Sequence, residues 1–239
     1  MIPFLIAATI AAADTSAACP TDSTSHATIC RAVAAGQAGQ FDIAASDFES
    51  AAAIAKPGDP ATDRMLAAAG NMWIAAGQPG KAAIALDRAL AGSGLLADQR
   101  GLALLDRARA AEAQGDLKTA RAKLNLAIPS VGADPFLWYF DAALAIREND
   151  PTTAKVAINR ALAMIPNDPT ILFEAGHVYE YVGEDSKARD YWTRAAANDP
   201  RGPSGQAARR ALGLLTVPLT VTNQVAARPE GDGEGPGHR

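Results

Sequence analysis

Reactive side chains are sparse in this chain, and their spacing supports little chemistry. The three histidines are His26, His177 and His238, and the two cysteines are Cys19 and Cys30. No histidine falls in a HExxH helix or in a recognisable Ser-His-Asp order. Glu174 and His177 form one Glu-x-x-His pair at helical spacing, but a di-metal bundle needs two such pairs and further carboxylates. Cys19 and Cys30 lack the CxxC spacing of a zinc or redox site. The glycines of the C-terminal PEGDGEGPGHR follow no strand and precede no lysine or helix, so they do not form a phosphate loop. No catalytic residue, metal ligand or cofactor is assigned, and the chain is read as a non-enzyme.

Charge narrows the partners further. Twenty-two Lys and Arg face 26 Asp and Glu, a net charge of −4, and Arg209-Arg210 is the only adjacent basic pair. Binding to nucleic acid through phosphates needs a basic surplus or stripe, so nucleic acid is excluded as a partner. Hydrophobic residues make up 49% of the 239 but aromatic ones only 5%, and alanine is close to a quarter of the chain. Alanine is the best helix former and a poor strand former, and the β-branched runs of an all-β fold are missing. An all-α fold is expected.

The N-terminus reads as an address. Residues 2–13 (IPFLIAATIAAA) match the apolar core of an export signal and fall well short of the ~20 residues that cross a bilayer. Ser16-Ala17-Ala18 then suits a signal peptidase, which makes 1–18 the signal and the mature chain periplasmic, without a transmembrane segment. No Lys or Arg precedes the run, which departs from the usual signal, and the alternative is a buried first helix. A lipid anchor on Cys19 is not expected, because Ser16 stands where a lipobox wants Leu. After export, Cys19 and Cys30 would meet an oxidising compartment. They either pair or stand as two unrelated thiols, and the sequence leaves both open.

Internal self-similarity dominates the rest. Five segments share a pattern of turn residue, Ala, large apolar residue and Ala: Gly39–Ala44–Phe48–Ala51, Gly77–Ala82–Leu86–Ala89, Gly115–Ala120–Leu124–Ala127, Asn149–Ala154–Ile158–Ala161 and Gly183–Ala188–Trp192–Ala195. The steps are 38, 38, 34 and 34 residues, and another apolar helical stretch precedes each turn residue. The last three positions mark one face of a helix. The final unit adds Leu172, Ala175-Gly176, Tyr179 and Pro200, and the fourth adds Trp138, Ala142, Ala145 and Pro166. The second carries Leu66, Gly70 and Trp73 without the closing proline; the third places Arg107 where an apolar residue is expected, and the first is weakest in its opening helix.

This scheme resembles the tetratricopeptide repeat, two helices around a turn with a period of about 34 residues. The resemblance implies a right-handed superhelical solenoid of five units at 25–58, 63–96, 101–134, 135–168 and 169–202. Mid-helix Gly70 and Gly176 are expected where a neighbouring helix leaves no room for a Cβ, and Gly77 and Gly183 where the first helix ends in the left-handed region. Residues 203–215 read as an amphipathic capping helix, and 216–239, rich in Gly, Pro and charge, as a disordered tail.

A solenoid of this kind presents a concave face lined by the first helix of each unit, and the resemblance implies a peptide or protein held there. Ile29 and Val33, Ala67 and Asn71, Leu105 and Arg109, Tyr139 and Ala143, and Phe173 and His177 occupy the places where some relatives grip a terminal carboxylate with Lys and Asn. No Lys–Asn pair occurs, so that clamp is not expected. The large side chains gather in units four and five, which makes Tyr139, Phe140, Arg147, Phe173, His177, Glu180 and Tyr181 the expected partner-binding residues. Arg64, Asn71, Arg109 and Glu112 are the polar residues that units two and three offer on the same face. Aromatics at these places also serve packing between helices, and the sequence does not separate the roles. The alternative function is a structural module that self-associates into a homo-oligomer.

Overall fold

A computed structural model describes residues 19–216, which form eleven helices and, among the described residues, no strand. The expected signal and the tail beyond Thr216 lie outside the described residues. The helices pair as α1 (Ser25–Gln37) with α2 (Phe41–Ile54), α3 (Ala61–Ala75) with α4 (Pro79–Ala91), and α5 (Ala97–Ala113) with α6 (Leu117–Val131). Then come α7 (Pro135–Arg147) with α8 (Pro151–Met164), α9 (Pro169–Tyr181) with α10 (Asp185–Asn198), and the single α11 (Pro203–Thr216). Each helix packs on the next, and α3 also lies against α5, α7 against α9 and α9 against α11. This is the expected all-α solenoid.

One turn geometry recurs five times. Gly39, Gly77, Gly115 and Gly183 have φ of 74°, 68°, 80° and 77°, and Asn149 takes the same left-handed conformation at 60°. The following residue then donates its amide to the carbonyl five positions back: Gln40 to Ala35, Gln78 to Trp73, Asp116 to Ala111 and Asp150 to Ala145 at 2.9 Å, and Glu184 to Tyr179 at 2.8 Å. That bond satisfies a carbonyl orphaned by the helix end, and Gly or Asn is needed because other residues are strained there. Side-chain caps fix several helix starts. Asp116, Asp134, Asp150 and Asp168 each accept an amide of the first turn at 2.9–3.0 Å.

Small residues set the packing distance. A Cβ on Gly70 would overlap the Leu86 side chain, and one on Gly176 would overlap the Trp192 indole. Leu86, Leu124, Ile158 and Trp192 are fully buried, as are the paired alanines Ala82 and Ala89, Ala120 and Ala127, Ala154 and Ala161, and Ala188 and Ala195. Phe48, the first-unit counterpart, is only half-buried. Arg107 tolerates its unusual position because its Nε donates to Asp87 on α4 at 2.8 Å.

Two features stabilise junctions that the repeat pattern alone leaves weak. Cys19 and Cys30 form a disulfide that ties the leading segment to α1, where Arg31 also donates to the Pro20 and Asp22 carbonyls at 3.1 and 3.2 Å. Between units three and four, Arg121 on α6 pairs with both Asp141 on α7 and Glu148, which caps the C-terminus of α7. Asp141 is 5% exposed, and burial pushes its carboxyl up despite the guanidinium beside it.

Candidate functional site

The concave face is built by α3, α5, α7 and α9. Between α3, α5 and α7 the face opens into a cleft of about 640 Å³. Arg64, Asn71 and Met72 reach it from α3, Leu102, Leu105, Asp106 and Arg109 from α5, and Phe136, Tyr139 and Phe140 from α7. Its walls are apolar, yet Leu102 and Phe136 remain 46% and 45% exposed. Large apolar side chains half open to solvent in one concavity mark a binding surface more than a core. The Phe136 and Tyr139 rings meet edge to face with centroids 6.4 Å apart.

A polar chain crosses the floor. Asn71 Nδ2 donates to Asp106 Oδ2 at 2.8 Å, and Arg109 Nη1 pairs with Asp106 Oδ1 at 3.3 Å. Burial pushes the Asp106 carboxyl up, outweighing the Asn71 and Arg109 contacts that favour its ionised form. The Tyr139 hydroxyl is raised chiefly by burial, with the Glu174 carboxylate adding to it. Arg64 Nη1 donates to the Gly94 carbonyl at 3.3 Å from the rim.

The structure divides six of the seven residues expected from the sequence between two places, and the seventh, Phe173, lines neither. Tyr139 and Phe140 belong to the larger cleft, where Phe140 is 9% exposed and forms part of the wall. Arg147, His177, Glu180 and Tyr181 line a shallower depression of about 480 Å³ between α7 and α9. Arg147 is bound there to the Glu112 carboxylate and to its carbonyl at 2.9 Å, and the Tyr181 hydroxyl donates to Asn149 Oδ1 at 2.6 Å. Phe173 is half-buried beneath the His177 ring, 4.4 Å away, while its carbonyl accepts the Trp192 indole N–H at 3.0 Å. His177 Nδ1 lies 3.8 Å from Glu174 Oε2. Sequence alone does not single out Leu102, Asp106 and Phe48 as site residues. Only the helical register of Leu102 and Asp106 with Arg109 on α5 signals their place.

Among the described residues no group of three or more His, Cys, Asp or Glu could hold a metal ion, and no helix is long and apolar enough to cross a membrane. The arrangement offers shape, apolar contact and fixed charge.

No protein-family model matches the chain, and none of the curated proteins matches its sequence. Solved structures do. YrrB, described as a TPR protein with an unusual peptide-binding site, superposes with a TM-score of 0.56 at 16% identity over 80% of this chain and 93% of its own. PilW, a type IV pilus biogenesis factor, gives 0.64 at 18% identity over 76% of this chain and 81% of its own. TTC0263, a thermophilic TPR protein of Thermus thermophilus, gives 0.60 at 19% identity over 80% of this chain and its own whole length. Five Schellman-type turns, the Gly–Trp and Gly–Leu contacts and these superpositions agree: the chain has the tetratricopeptide-repeat fold.

Proposed function

We propose that the chain is a non-catalytic scaffold that holds a peptide or protein partner in its concave face, centred on the cleft between α3, α5 and α7. The observation that carries this reading is the open apolar cleft with Leu102 and Phe136 half-exposed in it. Its volume falls within the range of ligand sites, roughly 300–1,000 Å³. The use of the same fold for peptide binding in YrrB supports it. The Cys19–Cys30 disulfide and the apolar run at residues 2–13 support a place in the cell envelope, since structural disulfides persist in oxidising compartments.

Photo-crosslinking in the native host tests the groove. A crosslinker replacing Leu102 should yield a discrete adduct, whereas one replacing Val156, 64% exposed on α8, should not. Adducts from Val156 alone would move the binding surface off the concave face. An adduct containing a second copy of the chain would favour self-association. Location is read separately: thiol alkylation of fractionated cells should find both cysteines blocked until reductant is added, in protein outside the cytoplasm.

A further inference from the structure

We infer that the partner segment is acidic as well as apolar, and that it is anchored by an internal Asp or Glu side chain on Arg109. This rests on the groove reading above and deepens it. The accessible charge of the cleft is one-sided. Both Asp106 oxygens already accept, from Asn71 and Arg109, and Asp134 Oδ1 accepts the Phe136 amide at 2.9 Å. The two arginines, by contrast, are exposed and each makes a single bond of 3.3 Å among the described residues, Arg64 to Gly94 and Arg109 to Asp106. A guanidinium carries five N–H donors in a planar fork that fits a carboxylate. The accessible charge of the cleft is therefore basic, since Asp106 is 15% exposed and Asp134 half-buried, and a partner complements it by bringing carboxylates.

Asp106 has a positioning role. Its side chain is 15% exposed and is itself held by Asn71, and through its 3.3 Å bond it biases the exposed Arg109 guanidinium toward the cleft. A pre-placed arginine loses less freedom on binding than a free one. Charge also sets the direction of the segment. The arginines stand at the α3–α5 side, whereas Glu174 and Glu180 belong to the α9 side. The acidic end lies over α3 and α5, and the remainder runs toward α9.

Spacing follows from the register. Arg109 stands two helical turns further along α5 than Arg64 does along α3. Two turns is roughly 10 Å, and neighbouring helices lie about 10 Å apart, so the two guanidinium stems are roughly 14 Å apart. An extended chain covers that distance in about four residues. Two acidic residues about four apart, with Leu- or Phe-type side chains between them, would reach both arginines.

The test is a random-peptide display library with every peptide fused at both ends, so that no free terminal carboxylate is present. It is selected on the full chain and on three variants. Enriched peptides should carry Asp or Glu among apolar residues, and Arg109→Ala should lower their affinity at least tenfold. Asp106→Asn should reduce the preference for an acidic peptide over its amide-substituted twin, a readout that a purely structural role would not move. Leu102→Gln, a charge-neutral change at a half-exposed site that removes apolar contact, should abolish enrichment. Enrichment that Leu102→Gln removes but Arg109→Ala leaves intact, or enrichment of basic peptides, would overturn the acidic anchor and keep the groove. Absence of any enrichment dependent on Leu102 would overturn both.

Discussion

At the scale of single residues, the strictest constraints are steric. Gly176 lies where any side chain meets the Trp192 indole, so Gly176→Leu should lower stability by at least about 2 kcal/mol, read as a fall in Tm by circular dichroism. An unchanged Tm would mean that the contact is not made. Asn149, at φ 60°, should tolerate Gly and be destabilised by Val, because a β-branched residue is strained in the left-handed region. Asp106 gives a pH signature. Its folded-state carboxyl lies above the ordinary value, so the folded chain binds this proton more tightly than the unfolded chain does. The resulting penalty is absent in acid below the unfolded value and complete above the raised one. Asp106→Asn removes it, so its Tm advantage over the parent should grow as pH rises through that window. An advantage independent of pH would contradict the assignment. A residue that lowers stability where it orients Arg109 is the local conflict expected at a functional site.

At the scale of helices and their junctions, the legible and the illegible parts separate for a physical reason. The five turns and the close approach at Gly176 could be read because each follows from a residue type at a fixed place in the repeat, whereas the capping aspartates emerged only from the structure. Arg121 could not. Its value depends on α7 bringing Asp141 and Glu148 to it across a unit boundary, and nothing on α6 announces that. The same applies to the cleft: large side chains mark units four and five in the sequence, but the larger opening lies where α3, α5 and α7 of three units meet. Arg121→Met should leave Asp141 buried without its cation and cost about 3 kcal/mol in urea unfolding, with Asp141→Leu recovering part of the loss in the double variant. Recovery of nothing would show that the two groups do not act as a pair. The disulfide acts at the other end. It closes a short loop, with a sequence separation of 11, so reduction should cost about 2–3 kcal/mol and raise hydrogen exchange in α1 before the later helices.

For the whole molecule, the solenoid turns five weak amphipathic units into one continuous concave face. The buried alanines let α3, α5, α7 and α9 line up, and α11 covers the end of the stack, burying Ala208. The face is then free to carry residues that packing does not need, and Leu102, Arg109 and Phe136 are such residues. Their contact with a partner is what the proposed role requires. The most direct measurement is the affinity of the partner recovered from the Leu102 crosslink for the parent chain and for Leu102→Gln, taken together with the Tm of both. A groove-bound partner should lose at least tenfold in affinity at an unchanged Tm, and undiminished affinity of a folded Leu102→Gln chain would contradict binding in the groove.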